Sequence, residues 1–134
     1  MTDISLAKYP EMAIFTDTSA NLTPSLAKGI SIIPLAYSIE GKEQHQDPQT
    51  GFDGHTYYGR IRAGAQVSTS MINPDAFKNA FTKALSQGKD VLYIGMSGGI
   101  SGTAQAAFCA AAELREQYPE RTIITVDTLA ASLG

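Results

Sequence analysis

The sequence predicts an α/β fold, Rossmann-like in architecture, with a mostly parallel sheet covered by helices on both faces. Three observations predict it. Short apolar runs alternate with helix-spaced segments along the chain. The later runs are continuously apolar instead of alternating, as strands buried on both faces are. Polar loops rich in Gly, Ser and Thr follow the strand ends.

In chain order, Met12-Ala13-Ile14-Phe15-Thr16 is an apolar run that ends in the polar cluster Asp17-Thr18-Ser19-Ala20-Asn21, as a buried strand does on emerging into a loop. Thr23-Pro24 places a capping residue before a proline at the first helical position, and Gly29 follows, so Thr23 to Lys28 predicts a short helix. Ile30 to Ile33 is a second strand. Leu35 to Ile39 continues it beyond Pro34, which has no N–H to give a ladder and predicts a bend or an edge position there.

Glu40-Gly41-Lys42 reads as a turn, and the polar stretch from Gln44 to Gly54, with Pro48 and Gly51, reads as a loop before a helix over about His55 to Arg62. Val67-Ser68-Thr69-Ser70 is extended. Asn73-Pro74-Asp75 then opens a helix with Ala76, Phe77, Ala80, Phe81, Ala84 and Leu85 at helical spacing, closed by Gly88. Val91 to Ile94 is a strand, Gly95 to Gly102 a loop, Ser101 to Tyr118 an alanine-rich helix, and Thr122 to Val126 the last strand. No internal repeat is visible.

Composition bounds the function classes. The 134 residues are enough for one core, and 43% hydrophobic with 17% charged residues describes a folding chain. Ten Lys and Arg against thirteen Asp and Glu give a net charge of −3 with no basic block, which argues against nucleic acid or an anionic membrane surface as partner. A single cysteine, Cys109, forms no internal disulfide, and the first fifteen residues carry no signal-peptide pattern, so the expected compartment is the cytoplasm. No apolar run approaches the roughly 20 residues that span a bilayer.

Three loops share the carboxyl end of a strand in this scheme: Asp17-Thr18-Ser19, Ser68-Thr69-Ser70 and Ser97 to Thr103. In an open parallel sheet, ligands bind at that edge. Gly95, Gly98, Gly99 and Gly102 leave backbone amides facing outward in front of a helix N-terminus, which suits an anion. Neither this stretch nor Val67 to Phe77 contains Lys or Arg, and neither matches a triphosphate or dinucleotide loop. A carboxylate needs less, because the hydroxyls of Thr69, Ser70 and Ser97 with backbone donors satisfy its lone pairs. The alternative is that these are tight turns whose hydroxyls cap the following helices. Asp17 is either ligand-side or a cap for the segment after it.

Gly95-Met96-Ser97-Gly98-Gly99 also spells the G-x-S-x-G of a hydrolase nucleophile elbow. In that fold the histidine follows the serine, whereas His45 and His55 both precede Ser97. Asp17, Asp47 and Asp53 are scattered and match no metal-ligand spacing, so neither a metal nor a cofactor is expected. His45 and His55 read as solvated residues, and Cys109 as core filler in its helix.

The ordered motifs resemble the DegV family of bacterial lipid-binding proteins along nearly the whole chain. Thr16-Asp17-Thr18-Ser19-Ala20-Asn21-Leu22 is similar to the family's T-D-S-T/S loop, and Ile32-Ile33-Pro34-Leu35 to its I-x-P-L segment, followed by Gly41 and Asp47. Thr69-Ser70-Met71-Ile72-Asn73-Pro74 is similar to T-S-Q-P-S-P, and Ser97-Gly98-Gly99-Ile100-Ser101-Gly102-Thr103 to S-S-G-L-S-G-T. Asp127-Thr128 and the small residues up to Gly134 resemble the closing D-S segment.

The resemblance implies binding of one long-chain fatty acid, with its carboxylate on the two hydroxyl loops and its tail in an apolar tunnel. It implies no enzyme activity of the chain alone, but presentation of the acid to a separate fatty acid kinase subunit. Carried over residue by residue, the ligand-side positions are Thr69, Ser70, Ser97, Gly98 and Ser101, with Thr103 also in place and Asp17, Thr18 and Ser19 on the first loop. Gly98 stands where the family has a second serine, and Met71-Ile72 where it has Gln-Pro. Residues 1–134 resemble the amino-terminal domain of a longer, two-domain protein. Alternatively the chain is a fragment that does not bind, whose uncovered apolar wall favours self-association.

Overall fold

The computed structural model describes residues 11–45 and 52–132. Four strands, β1 (Met12–Asp17), β2 (Ile30–Ile33), β6 (Asp90–Gly95) and β7 (Ile123–Asp127), form a wholly parallel sheet in the order β2-β1-β6-β7. Three others, β3 (Ala36–Ile39), β4 (Lys42–His45) and β5 (Val67–Thr69), form a separate antiparallel sheet in the order β4-β3-β5. Pro34 marks the change between the two: the chain leaves the parallel sheet after edge strand β2 and enters the second sheet at Ala36.

The helices are α1 (Gly54–Arg62), α2 (Pro74–Leu85) and α3 (Thr103–Gln117). Asn73 caps α2, its side chain accepting the Ala76 N–H at 2.9 Å ahead of Pro74 in the first turn. The apolar positions of α2 bury Phe77 and Phe81 completely against Tyr93 and Phe15, with ring centroids 5.0 Å apart for Phe77–Tyr93 and 5.2 Å for Phe15–Phe81. Truncation of such a phenylalanine to alanine costs about 3–5 kcal/mol. The alanines of α3 at 104, 107, 110 and 111 are buried to 1% exposure or less, which lets that helix lie close to α2 and to β7.

Helices α2 and α3 pack against each other and share one core with Phe15, Ile33, Val91, Tyr93 and Ile123, all on one face of the parallel sheet. Side chains alternate along strands, so the other face carries Ile14, Ile94, Ile124 and Val126. Ile94, Ile124 and Val126 are 37%, 48% and 38% exposed, and among the described residues no helix covers them. The α/β class and the parallel sheet stand as expected, while the two described helices that pack on that sheet, α2 and α3, lie on one side.

The physical reason is in the β1–β2 connection. The short helix expected over Thr23 to Lys28 is instead a turn, with one bond of helical span, Ala27 N–H to the Thr23 carbonyl at 3.0 Å, before Gly29 reverses the chain at φ +78°. Six residues return too few hydrogen bonds to offset helix nucleation. Strand β4 was expected as part of a turn and polar loop: its four residues are all exposed and have no apolar pattern to announce them. Cys109 is exposed as well, because the inward face of α3 passes through Ala106, Ala107, Ala110 and Ala111. Asp47 and Leu133-Gly134 lie outside the described residues.

Candidate functional site

Strands β1 and β6 lie side by side while their connections diverge, β1 leading to β2 and β6 to β7. At such a reversal the loops beyond the strand ends part and leave a crevice, the usual ligand position in open α/β sheets. Here the loops after β1 and β6, the end of β5 and helix α1 surround one open cleft of about 470 Å³. Its polar lining is Thr18, Ser19, Asn21, Thr69, Ser70 and Ser101, and none of the residues lining it is charged.

The first loop is set from beneath. Asp17 is fully buried: one carboxylate oxygen accepts the Ser19 N–H at 2.9 Å and the other accepts the Tyr93 hydroxyl at 2.5 Å. Asp17 is therefore not on the ligand side; it caps the short 3-10 turn Thr18–Ala20 and turns Thr18 and Ser19 toward the cleft. The Thr18 hydroxyl accepts the Leu35 N–H at 3.0 Å, joining this loop to the second sheet.

The second loop departs from the expected placement. Ser68-Thr69-Ser70 lies at the end of an antiparallel strand in the smaller sheet rather than in the parallel one, and reaches the cleft because β5 pairs with β3. Ser70 donates both its N–H, at 3.1 Å, and its hydroxyl, at 3.4 Å, to the Ala36 carbonyl. Among the described residues the hydroxyls of Ser19 and Thr69 have no protein partner, which leaves them to a ligand or water.

The third loop contributes Met96, Ile100 and Ser101 to the cleft wall, whereas Ser97 and Gly98 stand behind it. The Ser97 hydroxyl accepts the Gly99 N–H at 3.1 Å, and the Gly98 N–H donates to the Asp127 carboxylate at 3.0 Å. The amide of Gly98 is thus already engaged. Asp127 also accepts the Leu129 N–H at 2.9 Å, and these two amides hold its carboxyl below the ordinary aspartate range, Leu129 more than Gly98. Gly95 belongs to the end of strand β6, opposite Asp127, rather than to the loop, and a Cβ there would lie 2.5 Å from the Tyr93 hydroxyl, so its missing side chain makes room for that ring. His45 meets Glu43 at 2.9 Å rather than Ser97.

The loops at 69–73 and 97–103 are tied through Thr103, whose fully buried hydroxyl accepts from the Ser101 hydroxyl at 3.0 Å and the Ile72 N–H at 3.4 Å. An aromatic wall was not anticipated. Phe52, Tyr57 and Tyr58 line the cleft, Tyr57 packing edge-on against Tyr37 at 5.6 Å and Phe52 at 5.0 Å. The adjacent tyrosines of a short helix with few other apolar residues were the available signal. A second cavity, of about 210 Å³, shares Ser19 and Met96 with the cleft and runs onto the uncovered sheet face between Ile14, Leu22, Ile30 and Ile94. Among the described residues no helix is long and apolar enough to cross a membrane.

Fold and cleft together define an α/β domain with an open parallel sheet and an uncharged, hydroxyl-lined site at its topological switch point. A family model described as uncharacterised protein, DegV family, matches residues 11–134, and the chain belongs to the DegV family. A DegV domain-containing protein of Clostridium perfringens is 35% identical over 126 residues, covering 92% of this chain and 43% of that protein. One from Lactococcus lactis is 36% identical over 123 residues, covering 90% and 43%. The chain thus spans less than half the length of these curated relatives.

Among solved structures, a Thermus thermophilus DegV family protein described for its fatty acid binding superposes with a TM-score of 0.77 at 30% identity, over 92% of this chain and 42% of that one. A Thermotoga maritima protein described as revealing fatty acid binding function gives 0.75 at 29%, over 92% and 44%. The Streptococcus pneumoniae fatty acid kinase B3 protein loaded with linoleic acid gives 0.73 at 21%, over 90% and 43%, and shares the fold.

Proposed function

We propose that this domain binds one long-chain fatty acid and has no enzyme activity of its own. The observation that carries the reading is the convergence of Ser19, Thr69, Ser70 and Ser101 on an uncharged cleft that adjoins an apolar cavity. Hydroxyls donate to a carboxylate without a full ion pair, and the apolar cavity takes the start of a hydrocarbon tail. In this reading the head lies against Ser19 and Thr69, whose hydroxyls have no protein partner among the described residues, Ser70 and Ser101 turn to it from the Ala36 carbonyl and Thr103, and the tail passes Met96 toward Ile14 and Ile94. The descriptions of the Thermus and Thermotoga proteins support the ligand class. Presentation of the carboxylate to a separate fatty acid kinase subunit is the corresponding role, supported by the kinship in fold with the pneumococcal protein.

Titration calorimetry with oleate and palmitate tests the reading. Micromolar affinity in the wild type and at least tenfold weaker binding in a Thr69→Ala/Ser70→Ala variant of unchanged melting temperature is the expected result. Equal affinity in both would remove the hydroxyl loops from the site.

A second reading rests on the uncovered sheet face, where Ile94, Ile124 and Val126 form an exposed apolar surface next to Leu129 at 82% exposure. Such a face favours self-association of the domain. A clean monomer by light scattering that binds no hydrophobic dye would rule this out.

A further inference from the structure

Asp127 touches neither cavity, yet it holds the loop that forms one wall of both. Its carboxylate takes the Gly98 N–H at 3.0 Å on one oxygen and the Leu129 N–H at 2.9 Å on the other. Around it the chain after β7 is laced to the same loop: the Thr128 N–H and hydroxyl both donate to the Gly95 carbonyl, at 3.1 and 2.9 Å, and the Ser97 N–H donates to the Ala130 carbonyl at 2.9 Å. Of the four bonds that join this segment to the loop, leaving aside the Leu129 N–H within the turn, three are neutral. Of those four, the Asp127–Gly98 bond is the charge-assisted one, roughly twice as strong as a neutral bond.

The turn that aims this carboxylate is itself costly. Leu129 sits in the left-handed region at φ +57° with its side chain 82% exposed, so nothing in its packing repays the conformation. The bond from its N–H to Asp127 does. Among the described residues no Lys, Arg or His is paired with Asp127.

We propose that Asp127 is a positioning residue for the binding cleft: by fixing Gly98 it holds Met96, Ile100 and Ser101 in the geometry that receives the ligand. This rests on the fatty-acid reading above for its consequence in binding, but not for its effect on the loop. A carboxylate at 127 does what an amide does only in part. Asn retains one acceptor oxygen and presents an NH2 to one of the two amides, while Ala removes both acceptors.

The test uses the full chain with uniform 15N labelling, in wild type and in the Asp127→Asn and Asp127→Ala variants. Three readouts are taken: the Gly98 amide shift against pH, backbone mobility at residues 97–101, and displacement of a fluorescent fatty-acid probe by oleate. In the wild type the Gly98 amide should titrate with a midpoint below the ordinary aspartate value, and it should not titrate in either variant. Mobility at 97–101 should rise in the order wild type, Asn, Ala, and oleate affinity should fall in that order by about threefold and at least tenfold. Should Asp127→Ala fail to fold, Asp127→Asn still carries all three readouts. Unchanged mobility at 97–101 in the variants, or unchanged affinity in variants of a protein that binds oleate, overturns the proposal. A wild type that binds no oleate while the variants loosen the loop overturns the fatty-acid reading and supports the clamp.

Discussion

The Tyr93 hydroxyl donates to the Asp17 carboxylate at 2.5 Å, and both side chains are fully buried. The bond joins the aromatic core under α2 to the first loop of the cleft, since the other oxygen of Asp17 fixes Ser19. Burial first, and the neighbouring carboxylate second, push the tyrosine's titration above its ordinary range.

Tyr93→Phe deletes the donor and leaves a buried carboxylate short of one partner, a cost of about 1–3 kcal/mol. Chemical denaturation should show a loss of this size with an unchanged denaturant slope. A neutral effect would mean that water replaces the hydroxyl.

The same pair predicts a base-limited stability. Because the folded-state pKa of Tyr93 lies above the unfolded value of 10.0, its contribution is complete below pH 10 and declines as the pH rises beyond it, where only the unfolded chain releases the proton. Melting temperature against pH should therefore fall more steeply above pH 10 in the wild type than in Tyr93→Phe. Parallel curves would show that Tyr93 titrates normally.

At the acid end the sign is reversed. The carboxyls of Asp53, which accepts from Thr56 at the start of α1, and of Asp127 are both held below the ordinary value of 3.8. Their contributions are complete above about pH 4 and are lost as the pH falls through the lowered values. An Asp53→Asn/Asp127→Asn variant should lose less stability than the wild type between pH 4 and pH 2, measured by thermal melts.

Gly95→Ala places a Cβ 2.5 Å from the Tyr93 hydroxyl and 2.6 Å from a ring carbon. Overpacking of this kind costs about 1–3 kcal/mol. Because the ring carbon is nearly as close as the hydroxyl, the cost should persist in a Tyr93→Phe background; its disappearance there would assign the clash to the hydroxyl alone.

Much of this was legible in the chain. Asn73-Pro74 announced α2, the period of Phe77, Phe81 and Leu85 its buried face, and Val91 to Ile94 its neighbouring strand. Thr69, Ser70 and Ser101 were legible as cleft residues because loop chemistry and motif order agreed. What the sequence withheld depended on contacts distant along the chain. Asp17 reads in the sequence as ligand residue or cap alike, and it is Tyr93, seventy-six positions away, that decides for the cap by taking its other oxygen. Gly98 offered an amide that Asp127 already takes, twenty-nine positions on. The second sheet escaped notice because β4 has no apolar residue and β5 has only three residues.

Whether a fatty acid occupies the hydroxyl-lined cleft is read without intermediate steps by native mass spectrometry of protein purified from bacterial cells. The expected spectrum carries a one-to-one adduct with the mass of a long-chain fatty acid, lost in a Thr69→Ala/Ser101→Ala variant that melts like the wild type. A wild-type spectrum showing only the bare polypeptide, unchanged after incubation with micromolar oleate or palmitate, would contradict it.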